Sequence, residues 1–227
     1  MPRPSHVATW PSLTELPSLY PDARNRPNRG PYMYRAGKTW PLRSQFDTSN
    51  RIAVLAVGSN AYPRQLSDKL SGTPADLQGI PTVPAILSNF DVAYCPVRSR
   101  KGYVPFTMTS RPGAVCLTWL RWLTIEQLNL NSSTEGSRYA LVGGSSLSRS
   151  AIIPAQLRRP AAIYAWWFDS LLRRDGFPVW LDVYRPPVEP QLDPLESTEN
   201  ELPSDWIEVP RTAEHHAISQ EIMSEIC

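Results

Sequence analysis

The chain lacks most of the features that settle a function class at once. No apolar stretch approaches the ~18 residues that span a bilayer, and the opening MPRPSHVATWPSLTELP has no apolar centre of a secretory leader. A soluble, cytoplasmic protein without a membrane partner is therefore expected. The three cysteines, at 95, 116 and 227, have neither the even count of a disulfide framework nor CxxC spacing; Cys95 and Cys116 read as small core residues. His6, His215 and His216 are the three histidines, so none lies in the body of the chain. A histidine-bearing metal site or a serine triad there is not expected. Neither a Walker loop nor a GxGxxG occurs, and Gly143-Gly144-Ser145 reads as a lone flexible patch.

What the chain does have is material for one sizeable core: 227 residues, 41% hydrophobic, with aromatics at 10%. Its charge is unevenly spread. Residues 1–50 carry seven Lys/Arg against three Asp/Glu, residues 51–185 fifteen against eight, and residues 186–227 one against ten. A basic body with an acidic end suits an anionic ligand, or an acidic segment that folds back and neutralises the body.

Three segments follow from this texture. Residues 1–50, with prolines at 2, 4, 11, 17, 21, 27, 31 and 41, read as an irregular arm whose aromatics pack on the body. Residues 51–185 form the body. There IAVLAV (52–57) suits a central strand, and Gly58-Ser59-Asn60 a loop leading into a helix with Pro63 in its first turn and Leu66 and Leu70 on one face. Residues 83–87, 90–97 and 103–109 suit short antiparallel strands, with turns expected at Ser88-Asn89 and Arg111-Pro112-Gly113, and AVCLTWLRWL (114–123) suits a second central strand. Thr124 and Gln127 then fit a capping box for a helix ending near Asn131. Strands are further expected at 139–142, 151–154, 162–168 and 178–183. Residues 186–227 read as an acidic, proline-rich linker to about 205, followed by an amphipathic helix at 212–226.

Two places can carry chemistry. The loop Gly58-Ser59-Asn60, between a buried strand and a helix N-terminus, can aim backbone N–H groups at an anion, although an ordinary strand-to-helix turn with Asn60 as cap suits the same residues. Glu135, one of eight acidic residues in the body, has the chemistry of a general base and acid if it sits beside apolar strands, and that of a solvated turn residue otherwise.

The order VLAVGSNAYPRQL, GYVPFT, PGAVCLTWLRWLTIEQL and then TEG with Tyr139 resembles the gamma-glutamylcyclotransferase-like family over residues 50–185. The resemblance implies an α+β fold, a small mixed β-barrel with peripheral helices. It also implies an enzyme that needs no cofactor and acts on a γ-glutamyl-like small molecule, releasing 5-oxoproline. Gly58, Ser59 and Asn60 would hold the substrate's polar end, Tyr139 and Tyr164 would supply hydroxyl contacts, and Glu135 would carry the proton. Val57 stands where the family has a tyrosine, and Asn131-Ser132 where it has leucine-aspartate. A noncatalytic module that binds a metabolite or carboxylate on the same barrel is the alternative. Nucleic acid is not expected as a partner, because Trp119, Trp122, Trp166, Trp167 and Trp180 fall on strands that read as buried.

Overall fold

The computed structural model describes residues 31–42, 46–57, 60, 62–97, 104–135, 138–154, 157, 159–174, 177–178 and 196–209. The expected tail helix, Trp180, Gly58, Ser59 and the first 30 residues lie outside them.

The chain enters as a hairpin. Strands β1 (Tyr32–Arg35) and β2 (Lys38–Pro41) pair antiparallel around Ala36 and Gly37, both at positive φ, the geometry that lets a two-residue turn follow strand twist. β1 in turn pairs with β4 (Ile80–Tyr94), and Tyr32 and Tyr34 are buried. The arm therefore ends as part of the sheet, where the sequence suggested irregular chain.

The central strand is β3 (Ile52–Ala56), flanked by β5 (Phe106–Leu123) on one side and, in parallel, β8 (Ile163–Phe168) on the other. Between β3 and β4 come α1 (Pro63–Leu70) and a 3-10 turn at Pro74–Gln78. Pro63 opens α1, where its missing N–H costs nothing, and Leu66 and Leu70 are buried. Helix α2 (Ile125–Thr134) starts at the expected box: Thr124 Oγ1 accepts from Gln127 N–H, and Gln127 Oε1 accepts from Thr124 N–H. It continues one turn beyond the expected stop at Asn131. The remaining elements are β6 (Tyr139–Gly144), α3 (Ser145–Ser150), β7 (Ala151–Ile152), β9 (Ser170–Arg174), β10 (Phe177–Pro178), β11 (Glu196–Glu199) and β12 (Trp206–Val209).

Among the described residues the main sheet has nine strands in the order β12-β6-β8-β3-β5-β4-β1-β2, with β7 on β4. Its pairings are antiparallel apart from β3 with β8. A second, three-stranded sheet runs β10-β9-β11. The fold is thus α+β with few helices, as expected, but the sheet is not a closed barrel. Its ends, β12 and β2, are far apart in the ladder order.

The β4–β5 ribbon bends where the sequence suggested turns. Ser88-Asn89 and Arg111 to Gly113 are not chain turns but a bend within two continuous strands. Register jumps there from Ser88 opposite Val115 to Phe90 opposite Ser110, with Asn89 and Gly113 at positive φ and Asn89 Oδ1 accepting from Gly113 N–H at 2.9 Å. Beyond the bend, the ribbon leans back over the sheet. Phe168 N–H donates to Thr107 Oγ1, and Phe90 stacks on Trp206, whose ring meets Trp167 edge-on. Side chains rather than a strand ladder make this return contact.

The acidic end is also incorporated from residue 196. β11 pairs with β9, and β12 with β6. Buried Asn200 staples the segment: its Nδ2 donates to the carbonyls of Met108 and Phe168, and its own carbonyl accepts from Trp167 Nε1. Strands from all three segments share the sheets of the described structure. Nor is Gly143-Gly144-Ser145 a flexible patch. A Cβ on Gly144 would lie 2.6 Å from the Asp205 carbonyl oxygen and the Trp206 ring, and one on Gly143 2.6 Å from the Tyr164 ring. These glycines permit close packing.

Candidate functional site

The site is built where the C-terminal end of β3 meets the ends of α1 and α2. Buried Leu66 and Leu70 anchor α1 with Lys69 turned into the same crevice, and buried Leu128 anchors α2. The other end of α2 is fixed to the 3-10 turn. Gln127 Nε2 donates to the Ala75 carbonyl, Thr124 Oγ1 to Gln78 Oε1, and Gln78 Nε2 to Glu126. Arg51, just before β3, donates to the carbonyls of Gln78, Gly79 and Trp122. These bonds set the distance between the helices, so the residues at their C-terminal ends are held in place.

Four polar side chains converge there. Asn60 Nδ2 donates to Glu135 Oε1 at 3.0 Å across 75 residues of sequence. Lys69 Nζ lies 2.8 Å from Asn60 Oδ1, 2.6 Å from Asn131 Oδ1 and 2.7 Å from Glu135 Oε1. The Lys69 and Glu135 side chains are only 10% and 12% exposed, so the pair is shielded from solvent and less screened than a surface bridge. An ammonium only donates, so its contacts orient both amides with their oxygens toward it. Glu135 Oε1 receives two donors, while Oε2 receives none among the described residues. A carboxylate with one oxygen anchored and the other without a donor among the described residues keeps the chemistry of a proton or N–H acceptor.

The sequence expectations divide at this point. Asn60 and Glu135 are brought together. Gly58 and Ser59 lie outside the described residues. Tyr139 takes a wall position: its hydroxyl donates to the Phe106 carbonyl at 2.9 Å and sits 3.4 Å from Cys95 Sγ, and its ring meets Phe168 edge-on. Tyr164 lies opposite Gly143 in the β6–β8 ladder, with its ring over that glycine. Cys95 and Cys116 are buried, and burial pushes both thiols up to about 12, which leaves them unreactive as nucleophiles. Trp119, Trp122, Trp166 and Trp167 are buried as well and present no platform to a base.

Lys69 and Asn131 were not anticipated. A signal for each was present: Lys69 lies three residues after Leu66, on the apolar side of α1, and Asn131 three residues after Leu128, on the buried side of α2. A polar residue on a buried stripe marks a partner that sequence alone does not name.

Among the described residues, no helix is long and apolar enough to cross a membrane. The chain matches no family model, no curated protein and no solved structure.

Proposed function

We propose that the protein is a cyclotransferase-type enzyme that releases 5-oxoproline from a γ-glutamyl-like small molecule, with Glu135 as base and then acid. The observation that carries the reading is the 3.0 Å contact between Asn60 and Glu135. It joins the GSN loop to the downstream glutamate of the gamma-glutamylcyclotransferase-like resemblance, in a partly buried cluster.

In this reading Glu135 takes one proton from the substrate's α-ammonium. The freed amine attacks the γ-carbonyl of the same molecule, closing a five-membered ring. As the bond from that carbonyl carbon to the leaving nitrogen breaks, Glu135 returns its proton there, and the second proton released by the ring nitrogen follows. The leaving amine departs as an ammonium and the ring remains as 5-oxoproline. Tethering of nucleophile to electrophile supplies most of the advantage, and the protein orients the chain and moves the proton.

A panel of γ-glutamyl peptides and amines, assayed for 5-oxoproline by mass spectrometry, tests the reading. Product that vanishes in Glu135→Gln supports it, and no product across the panel removes it. The second reading, a noncatalytic module that binds a metabolite or carboxylate, is favoured by one observation: Lys69 already occupies an oxygen of Glu135, as expected of a carboxylate that orients rather than shuttles.

A further inference from the structure

We infer that Arg121 and Thr82 form an internal carboxylate site, in which a small monocarboxylate pairs with the guanidinium and the hydroxyl. Arg121 lies opposite Val54, midway along β3, whereas the Glu135 cluster is built on Asn60, after that strand has ended. The site is therefore independent of the reading of Glu135.

Directly paired residues share one face of a sheet, so Tyr32, Thr82, Arg121, Val54 and Tyr164 form a row across β1, β4, β5, β3 and β8. Arg121 is 2% exposed, and its Nε and Nη2 are enclosed without a hydrogen-bond partner. Thr82 is fully buried, and its Oγ1 has no partner either. The two residues stand opposite each other in the β4–β5 ladder, where Cβ atoms are about 5 Å apart. No hydrogen bond joins them. Two residues along β8 from Tyr164, on the same face, Trp166 Nε1 is a further enclosed donor without a partner.

Buried polar groups without partners are rare, and each calls for a group of matching chemistry. Here the unmet groups can all donate. Nε–H and Nη2–H lie along one edge of the guanidinium, the edge that takes the two oxygens of a carboxylate side by side, and a hydroxyl donates as readily as it accepts. The neighbours of Arg121 on this face, Val54 and Thr82 across the ladders and Trp119 and Leu123 along β5, include no acid. One positive charge is thus shielded from water and uncompensated. A monocarboxylate balances it, whereas a phosphate dianion leaves a negative charge buried in its place.

Because the site is enclosed, the carboxylate enters as the sheet opens or forms, and equilibrium unfolding reads its binding by linkage. Thermal melts of the full chain are recorded at constant ionic strength in formate, acetate, chloride and phosphate. The shift of Arg121→Met in each salt is subtracted from that of the wild type, which removes the general effect of the salt. Formate and acetate are expected to leave a gain of about 3–6 °C for each tenfold rise in concentration once the site fills, and chloride and phosphate a smaller one. Arg121→Lys keeps a charge without the two-pronged edge and is expected to lose the gain; it is the reference if Arg121→Met does not fold. Thr82→Val is expected to weaken the carboxylate about 10-fold. No remaining gain in formate or acetate overturns the inference, as does an equal or larger gain in chloride or phosphate, or a full gain in Thr82→Val.

Discussion

Lys69 and Arg121 are both largely buried cations, and the chain treats them differently. Lys69 is met by three side chains from two separate segments, the loop after β3 and the C-terminal end of α2. Arg121 is 2% exposed on β5, opposite Val54 and Thr82, and its Nε and Nη2 have no partner; Thr82 Oγ1, directly across the ladder, has none either. Desolvating either cation is expensive, and only the first is compensated. Several polar groups gathered around one charge offset its desolvation, whereas a guanidinium with two of its three nitrogens enclosed and unpartnered between strands carries a stability cost.

The largest effect should come from breaking the compensated cluster. Lys69→Met leaves Glu135 shielded and unpaired and is expected to cost about 3–5 kcal/mol in urea unfolding. The double variant Lys69→Met/Glu135→Leu should recover most of that loss; equal losses in the two would mean that the ion pair is not the cause. The opposite sign is expected at the uncompensated cation. Arg121→Met should raise stability by about 1–4 kcal/mol, and a loss instead would show that the guanidinium finds partners in solution.

Two smaller effects test the packing around the acidic end. Gly144→Ala forces a methyl group to within 2.6 Å of the Asp205 carbonyl oxygen and the Trp206 ring, so it should cost about 1–3 kcal/mol and perturb the near-ultraviolet dichroism of Trp206. The smallest effect concerns Asp205, whose carboxylate accepts from Ser146 N–H and from the hydroxyls of Ser146 and Ser145. These bonds, led by the backbone one, hold its carboxyl below the usual range. A depressed folded value means the contribution is complete above the unfolded value of about 3.9 and is lost as pH falls through the folded one. Asp205→Asn should therefore flatten the acid limb of the melting profile below about pH 4, with little change at neutral pH because the group is exposed.

How much of this could be read beforehand depends on whether local chemistry or distant partners decide an element. IAVLAV, Pro63 with Leu66 and Leu70, and the Thr124 to Gln127 box act within a few residues, and each forms where expected. The β1–β2 hairpin was hidden because Pro31 and Pro41 bracket it and Ala36-Gly37 is not a common turn pair. β11 is four polar or charged residues, ESTE, whose strand character comes from β9 and from the Asn200 staple. Asn89 and Gly113 have turn chemistry, and it is used to bend a ribbon instead of ending it. That the sheet curls without closing is a property of long-range packing that no local pattern carries. At the site, Asn60 and Glu135 each stand out in the sequence, and the structure brings them into contact; Lys69 and Asn131 carry only the signal of a polar residue on a buried stripe, which does not name its partners.

The most direct measurement is the rate of 5-oxoproline formation by the wild type and by Glu135→Gln on the best γ-glutamyl compound of the panel, with folding of both verified by dichroism. The account predicts measurable product from the wild type and a loss of about 10²–10⁴-fold in the variant, the range for removing a general acid–base group. Equal rates from the two proteins would contradict it.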